Sequence, residues 1–149
     1  MSERNSEAPL SVTPHHIEAA HRLVGVRIVV VEDEPDTREL VMEVLKRYGA
    51  EVAAFASAEA ALAAIEGGFR PDILVSDLSL PQVDGWEMIR RVRATAHGRT
   101  LPALALSASA SLQDAGRALD SGFDVHLAKP VSGDELVAAV LSVVDIRRY

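Results

Sequence analysis

Five short apolar runs alternate with five helical stretches along this chain, and no hairpin turn joins any two of the runs. Strands linked only through helices pair in parallel, because a parallel pair needs a long crossover and a helix supplies it. The first run, Ile28 to Val31, is continuous and β-branched. Pro35 opens a helical stretch with an apolar face of Leu40, Val41, Val44, Leu45 and Tyr48, and Gly49 stops it. The remaining runs are Val52 to Phe55, Ile73 to Val75, Leu104 to Leu106 and Val125 to Leu127. Ser57, Asp84, Ser111 and Ser132 stand as N-caps before the helices that follow them. Glu87 and Glu135, each three residues past its cap, complete the pattern of a capping box.

Runs this short and apolar on both sides belong to a sheet covered by helices on both faces. The expected fold is an open, doubly wound α/β structure, and 149 residues make one such domain. Residues 26–149 carry it. Residues 1–25 read as a polar tail followed by a short helix or linker that starts at Thr13-Pro14.

Composition removes several functions. The chain has no cysteine, so disulfides, thiolate metal sites and thiol nucleophiles are out. Lys and Arg number 15 against 22 Asp and Glu, a net charge of −7, which argues against a nucleic-acid partner. No apolar run approaches the about 18 residues a membrane span needs, and no signal-peptide plan opens the chain. A cytoplasmic location, off the membrane, is the expectation.

In a parallel sheet the residues that follow each strand gather along one edge, where open α/β sheets bind their ligands. Here Glu32, Asp33 and Glu34 follow the first run, Asp77 the third, Ser107 the fourth and Lys129 the fifth. Each has a plain structural reading. On that reading Asp33 and Glu34 favour a helix N-terminus through its dipole, Asp77 serves a turn, Ser107 is a local backbone partner, and Lys129 is a solvated lysine. The set together points elsewhere. Crowded carboxylates stay ionised only beside a cation, and a hard divalent ion such as Mg²⁺ takes oxygen ligands. A carboxylate nucleophile forms an acyl phosphate, and an ammonium and a hydroxyl hold the phosphoryl oxygens. Mg²⁺ on Asp33, Asp77 as nucleophile, and Lys129 and Ser107 on the oxygens make a complete phosphoryl-accepting site.

On these residues the chain resembles a response-regulator receiver domain of two-component signalling, over about Arg27 to Val144. The motifs are Ile28-Val29-Val30-Val31-Glu32-Asp33-Glu34-Pro35, the stretch Pro71 to Gly85 around Asp77, Leu106-Ser107-Ala108 and Lys129-Pro130. The resemblance implies strand order 2-1-3-4-5, a flavodoxin-like sheet, and a cis Lys129-Pro130 bond. It implies Mg²⁺ held by Asp33, Asp77 and the Ser79 backbone carbonyl, with Glu32 acting through a water. It makes Asp77 the phosphoacceptor, Ser107 the switch hydroxyl and Lys129 the phosphate-pairing lysine. Ser79 and Ser109 fall at positions that tune dephosphorylation. The implied donor is a sensor histidine kinase or a histidine phosphotransfer protein, and phosphorylation switches the face of the last helices or drives homodimerisation. Such a domain is not a conventional enzyme; it catalyses only its own phosphorylation and dephosphorylation. The stretch Val125 to Val131 resembles receivers of hybrid histidine kinases.

The chain departs from the family at three positions. The acidic pair is Glu32-Asp33 rather than Asp–Asp, the switch hydroxyl is Ser107 rather than Thr, and His126 stands where the family has a Tyr or Phe switch ring. An imidazole there gives a weaker or pH-dependent switch, or else a surface histidine without a switching role. His15, His16, His21 and His97 read as surface residues, and Trp86 as a reporter near Asp77. Arg117, Arg147 and Arg148 read as solvated charge or as a dimer face. Two other functions compete: a pseudo-receiver that binds a partner without phosphorylation, and a Mg²⁺-dependent phosphohydrolase of the haloacid-dehalogenase type. The latter would want its nucleophile after the first strand and a second Asp two residues on, where Asp77 is followed by Ser79.

Overall fold

A computed structural model describes residues 22–80, 82–108 and 111–148, with side chains as far as residue 144. The lead-in helix expected from Thr13, the histidines at 15, 16 and 21, and Ser109 lie outside these residues; residues 22–25 form a turn. The elements are β1 (Arg27–Val31), α1 (Pro35–Arg47), β2 (Glu51–Phe55), α2 (Ala58–Glu66), β3 (Ile73–Asp77), α3 (Gly85–Arg93), β4 (Ala103–Ser107), α4 (Leu112–Ser121), β5 (Val125–Ala128) and α5 (Gly133–Arg148). The strands form one sheet in the order β2-β1-β3-β4-β5, every pair parallel. This is the flavodoxin-like order expected above.

Alternation along the strands splits the core in two, since successive side chains point to opposite faces. Ile28, Val30, Ile73, Val75, Leu104 and Leu106 pack with Leu45 of α1 and with Leu136, Val137, Val140 and Val144 of α5. Val29, Val31, Leu74, Ala103 and Ala105 face the other way, onto Ala61, Leu62 and Ile65 of α2, Met88, Ile89 and Val92 of α3, and Ala118 of α4. Alanines at 103 and 105 let these helices lie close to the sheet. Leu23 is fully buried in the first of these clusters, and its amide donates to the Tyr48 carbonyl.

Caps form where the sequence places them. Ser57 accepts from the Ala60 amide and Ser111 from the Asp114 amide, while Ser132 and Glu135 exchange reciprocal bonds of 3.1 Å. The Asp84 box is only half made. Asp84 accepts from the Glu87 amide, but the Glu87 carboxylate turns to Arg91 and Arg90 instead. Leu40 also differs from expectation, being 61% exposed at the edge of the α1 stripe rather than within it. β3 and β4 run further than the apolar runs suggest, so Asp77 and Ser107 are the last residues of their strands.

Arg93 ties the far edge together. Its guanidinium donates to the carbonyls of Gly122, Gly98 and Leu101 and pairs with Asp124 at 3.2 Å. Asp124 in turn accepts from the Ala103 amide at the start of β4.

Candidate functional site

The carboxyl ends of β1, β3, β4 and β5 bring the polar residues together. Glu32 continues β1 by one more bond, its amide donating to the Phe55 carbonyl. It is 3% exposed. One carboxylate oxygen accepts from the Glu34 amide at 3.1 Å and the other from Lys129 Nζ at 2.8 Å. Glu34 has the plain role: it is the N-cap of α1, accepting from the amides of Asp36 and Thr37. Asp33, between them, is exposed. Among the described residues no hydrogen bond or ion pair engages its carboxylate.

Asp77 ends β3 and is 6% exposed. One oxygen accepts from the Ser79 amide at 3.2 Å, and the other lies 3.2 Å from Lys129 Nζ. α3 is pressed against this strand end. A Cβ on Gly85 would sit 2.7 Å from the Asp77 carbonyl oxygen, so only glycine allows the approach. Lys129 reaches the site because its amide donates to the Ser107 carbonyl at 2.7 Å, continuing the β4–β5 ladder. The Lys129-Pro130 bond is cis, as the resemblance implies. Ser107 is buried at the end of β4, beside β3.

Carboxylate oxygens of Glu32, Asp33 and Asp77 all lie within 4.8 Å of one another. Three hard oxygen donors at this spacing, one of them open to solvent, fit a divalent cation. The electrostatics show the crowding. Burial, reinforced by the Asp77 charge, raises the Glu32 carboxyl above its ordinary value and outweighs the bonds from Lys129 and the Glu34 amide. Burial pulls the Lys129 ammonium down, but the Glu32 bond and the charges of Asp77 and Glu32 prevail and raise it. The lysine is therefore charged and held by two carboxylates.

His126 lies on β5 opposite Ala105. Its neighbours Val125 and Leu127 pack toward α1 and α5, so the imidazole faces the other side of the sheet, the side of α4. It is half-buried, and Nε2 is shut from solvent with no hydrogen-bond partner among the described residues. His97 is exposed beside the 3₁₀ turn Gly98–Thr100. Arg117 is not merely solvated: its guanidinium stacks 4.2 Å from the Trp86 ring, joining α4 to α3. Sequence reasoning did not single out Arg38. Its Nη1 donates to the Glu32 carbonyl at 2.9 Å and lies 3.5 Å from the Asp33 carbonyl. The available signal was a cation one helical turn past the Glu34 cap.

Fold and site define a flavodoxin-like α/β protein with an acidic cluster and an opposed lysine at the carboxyl edge of its sheet. The chain belongs to the response regulator receiver domain family, whose model matches residues 28–141. It is 45% identical over 118 residues to an uncharacterized 14.6 kDa protein of Leptolyngbya boryana, covering 79% of this chain and 89% of that one. It is 34% identical over 130 residues to hybrid signal transduction histidine kinase D of Dictyostelium discoideum, covering 83% of this chain but only 8% of the kinase. Among solved structures, the receiver domain of sensor histidine kinase PA1611 of Pseudomonas aeruginosa superposes with a TM-score of 0.76 at 31% identity, over 82% of this chain and 99% of that one. That structure has a magnesium ion coordinated in its active site cleft. Among the described residues, no helix is long and apolar enough to cross a membrane.

Proposed function

We propose that this receiver domain accepts a phosphoryl group on Asp77 from a phosphohistidine of a sensor kinase or a histidine phosphotransfer protein. The observation that carries this is the cluster itself: three carboxylates within 4.8 Å, with one ammonium bound to two of them. Residues 26–149 act as the receiver and 1–25 as its lead-in.

Asp33, Asp77 and the Ser79 carbonyl would hold Mg²⁺, with Glu32 reaching it through a water. The bound ion would supply charge neutralisation between the carboxylates and the incoming phosphoryl oxygens. A carboxylate oxygen of Asp77 attacks phosphorus, the P–N bond to the donor imidazole breaks, and the imidazole leaves with that electron pair. Lys129 exchanges its carboxylate contacts for a phosphoryl oxygen, and the Ser107 hydroxyl donates to another. An apolar cleft beside Lys129 is lined by Thr37, Leu40, Val41, Pro130, Val131 and Leu136. A donor protein that reaches Asp77 covers this cleft, which gives exposed Leu40 its partner.

The contact of Ser107 with the phosphoryl group then biases α4 and β5. Leu112 and Leu119 of α4 are 90% and 50% exposed and form the apolar part of the face presented to an output partner or a second copy. His126 fills the ring position on that side of the sheet.

Incubation with Mg²⁺ and acetyl phosphate, followed by intact-mass measurement, tests the reading. One acid-stable, base-labile phosphoryl group that is absent from Asp77→Asn is expected. A protein that stays unmodified and does not respond to beryllofluoride is a pseudo-receiver, and rapid turnover of many phosphomonoesters marks a phosphohydrolase.

A further inference from the structure

Of the three clustered carboxylates, Asp33 alone is held by none of the described side chains. Glu32 is fixed by Lys129 and the Glu34 amide, and Asp77 by Lys129 and the Ser79 amide. What places Asp33 is its backbone, which Arg38 holds together with the bonds of the Glu32 amide to the Phe55 carbonyl and of the Glu34 amide to the Glu32 carboxylate. From the first turns of α1 the half-buried guanidinium reaches back and donates to the Glu32 carbonyl at 2.9 Å, with a longer approach of 3.5 Å to the Asp33 carbonyl. Two other bonds lock Arg38 itself: its amide donates to the Glu34 carbonyl, and Glu34 caps the helix. Loop and helix therefore form one closed unit, with the Asp33 side chain projecting from it.

We infer that Arg38 is a positioning residue for the divalent-cation site: it sets the Glu32-Asp33 backbone so that the Asp33 carboxylate stays within ligand range of Asp77. This rests on the reading of that cluster as the cation site. Preorganisation is the physical reason, since a ligand on a loop that must be ordered on binding loses affinity to that ordering. Arg38 also carries a positive charge on the Glu32-Asp33 loop, and charge alone would weaken the binding of a cation there. The two effects have opposite signs, so removing Arg38 discriminates between them.

The experiment is calorimetric titration of the full chain with Mg²⁺, in parallel with thermal melting in chelator. Arg38→Met keeps the stem and removes both donors and charge. About a tenfold rise in the Mg²⁺ dissociation constant is expected, the loss of one charge-assisted bond. Arg38→Lys keeps the charge and one donor and should bind within about threefold of the wild type. Phosphorylation by acetyl phosphate should show a higher Mg²⁺ half-saturation in Arg38→Met with its rate at saturating Mg²⁺ little changed, a split that general loosening of the fold would not give. Unchanged or tighter Mg²⁺ binding by a folded Arg38→Met overturns the inference and leaves the cation site standing. Should that variant unfold, Arg38→Gln, which withdraws the charge and most of the reach, takes its place with the same expected weakening. Absence of Mg²⁺ binding by the wild type, or binding that survives Asp33→Asn, overturns the reading of the cluster and this inference with it.

Discussion

Lys129 Nζ sits 2.8 Å from Glu32 Oε1, an ion pair between residues 97 positions apart in sequence that links the end of β5 to the end of β1. Because the same ammonium also contacts Asp77, it is shared by two nearly buried carboxylates. Replacing it leaves both without a counter-charge among the described residues. Lys129→Ala is expected to lower the stability of the metal-free protein by about 2 kcal/mol and to abolish most phosphoryl acceptance. Urea unfolding in chelator, together with acetyl phosphate labelling, checks both effects.

Asp33 should behave in the opposite way. Its carboxylate adds charge to the cluster and gains no partner among the described residues, so Asp33→Asn relieves repulsion. The variant is expected to gain about 1 kcal/mol in chelator, the usual trade of function for stability. It should also lose the stabilisation that Mg²⁺ confers on the wild type, which reaches about 2.7 kcal/mol at a hundredfold excess over the dissociation constant. Melting with and without Mg²⁺ measures both signs.

The raised Glu32 carboxyl predicts a pH dependence. A carboxyl whose folded value exceeds its unfolded one binds its proton more tightly when folded. Stability from this group is present below its ordinary value of 4.5 and is lost as pH rises through the higher folded value. Metal-free wild type should therefore lose stability relative to Glu32→Gln across that window. A constant difference between the two proteins from about pH 4 to pH 7 contradicts it.

Trp86 and Arg117 join α3, which is pressed on the Asp77 backbone, to α4, which carries the exposed leucines. If loading Asp77 moves α4, the stacking changes and Trp86 emission reports it. Beryllofluoride should alter the emission of the wild type and have a much smaller effect in Arg117→Ala. That substitution should itself cost less than about 1 kcal/mol.

Arg93 bonds three backbone carbonyls and one carboxylate at the far edge of the fold. Arg93→Ala strips donors from three carbonyls and removes the ion pair with Asp124, for an expected loss of about 3 kcal/mol. Lysine should not restore it, because one ammonium does not reproduce the planar fork. Urea denaturation of both variants is the check.

The contrast between Arg93 and Asp77 shows what a sequence displays and what it hides. Asp77, Asp33 and Lys129 are legible because each stands at the end of an apolar run, and parallel topology alone brings such ends to one edge. Arg93 looks like any other cation in Arg90-Arg91-Val92-Arg93; its partners are backbone carbonyls at 98, 101 and 122, which no residue type advertises. Arg38 is hidden for the same reason. Glu34 and Asp33 are adjacent and chemically alike, so their division between cap and cluster depends on which carboxylate the helix start captures. The capping pattern at Asp84 is read correctly for its first bond and not for its second, because Arg91, one turn along α3, competes for Glu87.

The central claim is that Asp33 and Asp77 share one cation while Asp77 carries the phosphoryl group. A crystal structure of the protein grown with Mg²⁺ and beryllofluoride tests it most directly. The account predicts beryllium on an Asp77 carboxylate oxygen, Mg²⁺ between Asp33 and Asp77, and Lys129 moved from Glu32 onto a fluoride. Beryllofluoride bound elsewhere, or Mg²⁺ seated away from these two carboxylates, would contradict it.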